Sequence, residues 1–300
     1  MVTEGPIPVI RQLTLDDLDD SLRLSTTAGW NQQRADWQML LTTAPAGSFG
    51  AIDASSGRII GTAIGIDYES FGWIAMMLVD PAYRSRGLGA RLLDAAMNAL
   101  PAGMPIRLDA TPMGRPLYQR FGFVDETVLT RHVAAAADRR SVDDRAAARL
   151  DDVQPMAGPD VEAIAGHDRS IFGGNRRGVL EWALTSAPHY ARVVRTTASP
   201  PQYCFGRHGR LFDQIGPIVA QDGDRARALL MAAMPAAGER PVVVDAFDEH
   251  KSFAGWLRKC GFRAERPLYR MCRPGATSVA RAGGSRDDVK EFAIFGPEFA

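Results

Sequence analysis

The amino-acid sequence predicts a mixed α/β (α+β) protein built from two similar copies of one fold. The chain has 300 residues, which is about twice a common domain length. In the first half, apolar or alternating runs typical of strands are interspersed with amphipathic stretches typical of helices. Several short patterns of that half recur in the same order in the second half. Repeats of this length indicate a duplicated structural unit.

The first half shows the signals of ten elements in the order β-α-α-β-β-β-α-β-α-β. Thr14 is a suitable N-cap for the first helix, and Pro45 and Pro101 lie just beyond the ends of the second and third. The fourth strand is apolar throughout, which favours a central strand buried on both faces. The predicted strands are residues 8–13, 49–53, 58–67, 73–79, 106–110 and 123 onward. Three of the predicted helices are residues 15–26, 34–43 and 115–121, and the other follows Gly89, ends before Pro101 and has the apolar stripe Leu92, Leu93, Ala96, Met97 and Leu100.

The recurring patterns define the domain organisation. They lie roughly 140 residues apart, and a chance likeness between Ala-rich helices does not explain an ordered set. We predict domains at residues 1–135 and 154–300, joined by a linker at 136–153 that is either an exposed helix or the last element of the first copy. The matched pairs are Leu78-Val79-Asp80-Pro81 with Ile215-Gly216-Pro217, Leu92–Met97 with Leu229–Met234, Tyr118–Phe123 with Leu257–Phe262, and Trp37/Ala44-Pro45 with Trp182/Ala187-Pro188.

Composition excludes several classes of function. Lys+Arg and Asp+Glu each number 35, so the net charge is zero, which argues against a nucleic-acid partner or attraction to a membrane. No apolar run approaches the roughly 20 residues of a membrane span, and the first residues lack the features of a signal peptide. The three cysteines have no metal-ligand spacing. The sequence thus predicts a cytoplasmic protein without a metal.

The segment between the apolar strand and the third helix carries the strongest chemical signal. Gly87 and Gly89 allow a sharp turn and a close approach of a ligand to the main chain. The helix that follows offers unpaired N–H groups and the positive end of its dipole. With Arg84 and Arg86, these features predict a site for phosphates, although an ordinary turn with solvated arginines is the alternative.

Two other phosphate motifs fit less well. A P-loop needs Gly-Lys-Ser/Thr, which the sequence lacks. A dinucleotide fingerprint needs a third glycine where Leu92 stands and places its glycines directly after the strand. Asp109, about 20 residues further on at a strand end, keeps this second alternative open.

The motifs around this loop resemble those of the GNAT superfamily of N-acetyltransferases. Arg84-x-x-Gly87-x-Gly89, after an apolar strand and Asp80-Pro81, is similar to the family's acyl-CoA loop, and Leu117-Tyr118-x-x-x-Gly122-Phe123 is similar to its second signature. The resemblance covers about residues 8–130, and the whole chain resembles bacterial tandem-GNAT proteins with a degenerate second half. It implies two copies of a mixed, mostly antiparallel twisted sheet flanked by helices.

The resemblance implies acetyl-CoA as co-substrate. Strand backbone would pair with the pantetheine arm where the fourth and fifth strands splay apart, and loop amides would hold the pyrophosphate. Thr111 stands where many members of the family have Asn and would be a shorter partner for the pantetheine. The implied binding residues are Leu78, Val79, Arg84, Ser85, Arg86, Gly87, Leu88, Gly89, Ala90 and Thr111.

The implied reaction is direct attack of an amine on the thioester, which makes the protein an acetyl-CoA-dependent N-acyltransferase. Tyr118 would protonate the leaving thiolate, although a helix aromatic in the core is the alternative. Among the strand-end carboxylates, Asp109 is preferred as general base over Asp67 and Glu69, although a solvated carboxylate without a catalytic role is the alternative for each. His132 lies outside the motif and is expected on the surface.

The acceptor is predicted to be an amine of a small molecule or a protein. The acceptor-binding site is expected to be lined by the loop Ala28-Gly29-Trp30-Asn31 together with Tyr68, Glu69 and Phe71. The alternative is that the aromatic residues among them are part of the hydrophobic core. The sequence leaves a homodimer open. A non-catalytic acyl-CoA sensor or scaffold remains the competing function.

The second half departs from the loop motif. Gln221–Ala226, with Asp222 and Asp224 beside Gly223, replaces the glycines and arginines, and Leu257 stands in the place of Tyr118. Carboxylates at that helix start would repel a pyrophosphate. The expected stoichiometry is therefore one CoA per chain, and the two late phenylalanines, Phe295 and Phe299, are expected to dock on the protein.

Overall fold

The computed structural model describes residues 8–139, 147–194, 200–276 and 290–300. The chain forms two compact units, one of Met1–Leu108 with Arg273–Ser278 and one of Asp109–Cys272 with Val279–Ala300. These units divide the chain earlier than the sequence repeat does, so the linker at 136–153 stays a prediction; residues 140–146 of it lie outside the described residues. No helix among the described residues is long and apolar enough to cross a membrane.

The first unit contains a five-stranded mixed sheet in the order β1-β2-β3-β4-β5 with three helices. Strands β1 to β4 are antiparallel neighbours, and β5 joins β4 in parallel. The predicted mixed, mostly antiparallel sheet is confirmed. The elements are β1 (Val9–Gln12), α1 (Leu18–Thr27), α2 (Arg34–Thr43), β2 (Ser48–Ile52), β3 (Ile59–Asp67), β4 (Gly72–Val79), α3 (Leu88–Asn98) and β5 (Ile106–Ala110), whose last two residues belong to the second unit.

Helix α3 lies directly on this sheet. Its apolar stripe, which includes Leu92, Leu93 and Ala96, is fully buried. Gly65 of β3 permits the close approach, because a Cβ at that position would lie 2.6 Å from the carbonyl oxygen of Ala96. The packing fixes the N-terminus of α3 relative to the end of β4, which is where the sequence predicts the phosphate site.

The second unit contains an eight-stranded sheet in the order β12-β6-β11-β13-β10-β9-β8-β7. Its sheet is antiparallel except where β10 and β11 pair in parallel. The elements are α4 (Arg115–Arg120), β6 (Val124–Ala134), β7 (Val153–Pro155), α5 (Gly158–Phe172), α6 (Arg177–Ser186), β8 (Arg192–Val194), β9 (Gln202–Arg207), β10 (Asp213–Ala220), α7 (Gly223–Ala233), β11 (Val242–Phe247), α8 (Lys251–Lys259), β12 (Arg263–Arg273) and β13 (Lys290–Ala293).

Strand β6, which ends the first sequence repeat, lies between β11 and β12 and is antiparallel to both. Arg131 of β6 forms a buried bidentate ion pair with Asp245 of β11 at 2.8 and 2.7 Å. His132 is 1% exposed and its Nδ1 lies 2.9 Å from the carbonyl oxygen of Thr130. The expectation that His132 is on the surface is therefore wrong, because both neighbours of β6 are strands from far along the chain.

The late phenylalanines dock as the sequence predicts. Phe295 and Phe299 are buried, with their ring centroids 6.0 and 5.3 Å from that of Trp182. The contact places residues 290–300 inside the second unit, and β13 is part of its sheet.

Candidate acyl-CoA site

A β-bulge interrupts β4 three residues before its end. Ile64 and Thr62 of β3 lie opposite Ala75 and Leu78, so two steps along β3 match three along β4 and one residue of β4 is extra. Met76 takes the left-handed conformation (φ 51°), and its carbonyl oxygen accepts a hydrogen bond of 2.8 Å from Thr62 Oγ1. A bulge re-aims the backbone N–H groups around it, so this part of β4 can present a donor away from β3.

Strands β4 and β5 separate soon after they begin. Their parallel pairing consists of Gly72 with Ile106 and Trp73 with Arg107, whereas β4 stays paired with β3 as far as Val79. We call the gap beside Ile74–Val79 the first notch. It lies at the carboxyl end of β4, the edge of a parallel pair at which ligands commonly bind. The expected splay at Leu78 and Val79 is present.

The loop after β4 presents backbone amides to solvent. Asp80 caps a single turn over Pro81–Tyr83, since its Oδ1 accepts from the N–H of Ala82 at 3.0 Å. Ser85 and Gly87 are then both left-handed, with φ of 62° and 75°. Alternating backbone conformations of this kind form concave anion-binding nests.

Helix α3 begins with its N-terminus uncapped. Gly87 is the N-cap residue, no side chain accepts from the first amides, and the first turn contains no acidic residue. These amides and the helix dipole are therefore available to an external anion. The backbone geometry of the loop is thus compatible with a bound pyrophosphate, as its sequence motif also predicts.

The two loop arginines are exposed and partly engaged with the loop itself. Arg84 Nε donates a 3.0 Å hydrogen bond to the carbonyl oxygen of Val79, and the guanidinium of Arg86 lies 5.6 Å from the ring centroid of Tyr83. Arg84 thus ties the loop to the end of β4. Its terminal guanidinium nitrogens remain able to reach a phosphate.

In the second unit, α4 buries the side chain of Tyr118. Its ring packs edge-on against Phe123 with centroids 6.0 Å apart. Among the described residues, no hydrogen-bond partner is found for its hydroxyl group, and burial raises the pKa of the phenol. The phenol is protonated at neutral pH and can act as a proton donor.

Thr111 begins the strand-to-helix turn between β5 and α4. Its Oγ1 accepts from the N–H of Gly114 at 3.2 Å, and its carbonyl oxygen accepts from Arg115 at 3.0 Å. The hydroxyl therefore stabilises the turn, and its binding of pantetheine stays a prediction.

Asp109 lies in a buried ion pair instead of a solvated strand end. Its two carboxylate oxygens each accept a 2.9 Å hydrogen bond from Arg270 of β12, and its side chain is fully buried. Burial opposes the charge of Arg270, but Asp109 outweighs it and the pKa of Arg270 is raised. Both carboxylate oxygens are engaged by Arg270, and a role of Asp109 as general base stays a prediction.

We expect Asp109→Asn to lower the stability of the fold far more than it lowers kcat. The substitution leaves the guanidinium of Arg270 buried without its counter-ion, a change that typically costs about 3 kcal/mol. Denaturant unfolding and the pH dependence of kcat are the two measurements. Asp125→Asn is the control, because its ion pair with Arg115 is one third exposed and its loss should cost much less stability. A loss of kcat of a hundredfold or more with unchanged stability would support Asp109 as the base.

The expected acceptor wall is partly core. Tyr68 and Phe71 are 1% and 2% exposed and pack in a row with Trp73, with successive ring centroids 5.7 and 6.5 Å apart and the rings tilted or edge-on. Three residues of that hairpin, Asp67, Glu69 and Ser70, are exposed, and Trp30 is half-buried. The structure assigns the aromatics of the hairpin to the core, and Asn31 is buried as well. Ala28, Gly29, Trp30 and Glu69 are at least partly exposed, and their role in an acceptor wall stays a prediction.

The second unit lacks a free helix start at the corresponding place. Asp222 caps α7 through a 2.8 Å hydrogen bond from the N–H of Arg225, and Asp224 lies in the first turn. The protein's own carboxylate therefore occupies the amides that an anion would need.

Comparisons with known proteins agree with this geometry. The family description "Acetyltransferase (GNAT) domain" matches the chain twice, at residues 46–125 and 164–283. An uncharacterised N-acetyltransferase of Bacillus subtilis, YitH, is 26% identical over 81% of this chain and 84% of its own. The chain thus carries two GNAT acetyltransferase domains and belongs to that family, whose members transfer acyl groups from acyl-CoA.

Solved structures share the fold over nearly the whole chain. A proposed acetyltransferase from Pyrococcus horikoshii superimposes with a TM-score of 0.71 at 22% identity, covering 99% of this chain and 97% of that one. A tandem GNAT protein from the clavulanic acid biosynthesis pathway has a TM-score of 0.56 at 11% identity, covering 91% and 100%. At these identities the likeness establishes the tandem fold alone.

The bulge at Met76 is the feature of the site that sequence reasoning missed. It lies within a continuous apolar run, and nothing in such a run marks where a strand gains a residue. Thr62, the polar residue of β3 that binds the bulge, was likewise read only as part of a strand.

Proposed function

We propose that this protein is an acetyl-CoA-dependent N-acyltransferase whose site is in the first half of the chain. The observation that carries the proposal is the uncapped N-terminus of α3, with left-handed Ser85 and Gly87, at the open end of the first notch. A ligand with a pyrophosphate and an extended amide-containing arm matches an anion nest joined to a strand edge.

In this proposal each part of the site has one task. The amides from Arg84 to Ala90 hold the pyrophosphate, and the backbone of Leu78 and Val79 pairs with the pantetheine arm, with Thr111 as a further partner. A backbone N–H near the bulge at Met76 stabilises negative charge that develops on the thioester oxygen, a contribution often worth about 3 kcal/mol.

Tyr118 supplies the proton to the departing thiolate, which leaves as the thiol of CoA. Burial raises the pKa of its phenol, so the proton stays on Tyr118 until the thiolate forms. The amine must lose a proton before it attacks, and water is the proposed acceptor, since Asp109 is held by Arg270.

The proposed acceptor is a small amine, and the proposed compartment is the cytoplasm. Asp67 and Glu69 are exposed at the turn between β3 and β4, where Asp67 Oδ1 accepts from the N–H of Glu69 at 2.7 Å. Where an acceptor approaches these carboxylates, they favour a cationic amine over a carboxylate-rich molecule.

The test is release of CoA thiol from acetyl-CoA across a panel of amines, with carboxylate-rich acceptors as the matched comparison. We expect turnover with one class of amine and none with the acids. Binding of acetyl-CoA without turnover on any amine would favour the non-catalytic sensor instead.

We also expect calorimetric titration with acetyl-CoA to saturate at one ligand per chain. The first half offers an uncapped helix and two arginines, whereas Asp222 caps the helix of the second half. A variant with Asp222→Gly and Asp224→Ala is the control, and it should still bind one ligand because strand β13 fills the adjoining gap. A stoichiometry of two in the unaltered protein would contradict the assignment.

A further inference from the structure

The second unit repeats the two features that make the first notch. Strands β10 and β11 pair in parallel through Asp213 with Val242 and Gln214 with Val243, and the parallel pairing goes no further. A bulge follows in β10, where Ile215 and Ile218 face Gly206 and Cys204 of β9. As in β4, three residue steps along the bulged strand lie opposite two steps along its neighbour, so β10 contains one extra residue. The gap beside β10 is named the second notch.

The chain's own strand β13 lies in the second notch. It is antiparallel to β10 through Ile218 with Ala293 and Ala220 with Lys290, and to β11 through Ala246 with Ala293. The N–H of Ile294 donates 3.0 Å to the carbonyl oxygen of Asp245. β13 therefore uses the strand edges that, in the first notch, we assign to the pantetheine arm.

The fit between β13 and the second notch is close. A Cβ on Gly216 would lie 1.9 Å from the carbonyl oxygen of Ile294, so this residue must be glycine for the segment to enter. The ring of His250 stacks on Phe292 with centroids 4.0 Å apart, and His250 Nε2 lies 3.0 Å from the carbonyl oxygen of Glu291.

The residues after β13 are recognised individually. Phe295 and Phe299 pack against Trp182, as described above. The fully buried guanidinium of Arg176 donates 2.7 Å to the carbonyl oxygen of Ala300, and it also pairs with Glu291 at 2.9 Å and with Asp168 at 2.8 Å. A backbone strand with side-chain pockets at intervals is the arrangement by which proteins bind extended peptides.

We propose that the second GNAT domain is a peptide-binding module: its notch binds an extended peptide strand instead of acyl-CoA, and residues 290–300 are its occupant. The proposal rests on the second unit alone and stands whether or not the first half is catalytic. Covalent attachment gives the segment an effective concentration on the order of millimolar. A free peptide can therefore bind the second notch only when residues 290–300 are removed or when a substitution in the notch prevents them from binding.

Hydrogen exchange of the full-length chain tests the occupant. The amides of Phe292, Ala293 and Ile294 should exchange at least about a hundredfold more slowly than in the free peptide, because they lie in a sheet interior. Gly216→Ala should abolish this protection. Gly166→Ala in α5 is the matched control, since a Cβ there meets nothing within 4 Å. Free-peptide exchange rates at these amides in the unaltered chain would overturn the proposal.

Peptide binding tests the site. A chain ending at residue 289 should bind the synthetic peptide KEFAIFGPEFA at one per chain, and should not bind the same peptide with Phe295→Asp. The full-length chain should bind neither. If the shortened chain folds only when the peptide is present, that result supports the proposal as well. A shortened chain that folds alone and ignores the peptide, or takes a second acetyl-CoA in its place, overturns it.

These readouts are independent of turnover. If no amine is acetylated but the amides of residues 292–294 exchange slowly, the proposed enzymatic activity is wrong and the proposed peptide site stands. If an amine is acetylated but these amides exchange at free-peptide rates, the proposed activity stands and the proposed peptide site is wrong.

Discussion

Replacing Tyr118 by Phe is expected to lower kcat by about a hundredfold or more while changing KM for acetyl-CoA by less than about threefold. Removal of a general acid typically costs a factor of about 10² to 10⁴. The ring is retained, so its contact with Phe123 survives and the fold is unchanged. Steady-state kinetics with the best amine of the panel is the measurement. A change confined to KM would instead give Tyr118 a binding role.

Tyr269→Phe is the matched control for loss of a phenolic hydroxyl. Tyr269 lies on β12 and its ring is held under the guanidinium of Arg115 at 4.4 Å, a contact that Phe retains. This variant should keep kcat within about twofold of the unaltered enzyme. An equal loss in both variants would point to a general effect on the second unit.

The pH profile provides a second check on Tyr118. Because burial raises the pKa of the phenol above its usual value of about 10, the donor stays protonated throughout the neutral and mildly alkaline range. Activity should therefore rise as the amine loses its proton and should not fall again below about pH 10. A decline between about pH 8 and 9 that is absent from Tyr118→Phe would contradict the expected direction of the shift.

Gly89→Asp is expected to weaken acetyl-CoA binding by about a hundredfold, which corresponds to about 3 kcal/mol. Gly89 is the second residue of α3, so its side chain would reach the amides that face the pyrophosphate. A carboxylate there supplies the anion itself and repels the ligand's charges. The same carboxylate is favourable for the helix, so the melting temperature should not fall.

Gly178→Asp is the matched control, since Gly178 is the second residue of α6 and a Cβ there meets nothing within 4 Å. Calorimetric titration should show unchanged affinity for acetyl-CoA in this variant. If the folded Gly89→Asp variant also binds acetyl-CoA with unchanged affinity, the assignment of the anion site to this loop is wrong.

The sequence by itself determined the features whose signals are local. The apolar run of β4, the turn at Gly87 and the stripe of α3 are each local patterns, and the structure places them as expected. Helix α3 begins at Leu88, so Gly89 lies inside the helix and not in the turn. The duplicated organisation was equally visible, because two copies of one fold preserve the order of their turn and helix patterns. Local propensity and periodicity suffice for elements of this kind.

The tertiary structure decided which side chains meet. Asp109 looked like a free carboxylate at a strand end, yet its partner Arg270 is 161 residues away in the chain. Tyr68 and Phe71 fitted a binding wall and a core equally well until packing against Trp73 buried them. The role of a polar or aromatic residue depends on what surrounds it, and those surroundings come from distant segments.

The pairing of strands was also beyond the sequence. An apolar run shows that a strand is buried without showing its neighbours, so neither the insertion of β13 between β10 and β11 nor the bulge at Met76 left a pattern to find. Asp222 and Leu257 indicated from the sequence that the second half had lost its phosphate loop and its tyrosine. Only the fold revealed that the vacated strand edges are hydrogen-bonded to residues 290–293 of the same chain, because backbone pairing requires no particular side chain.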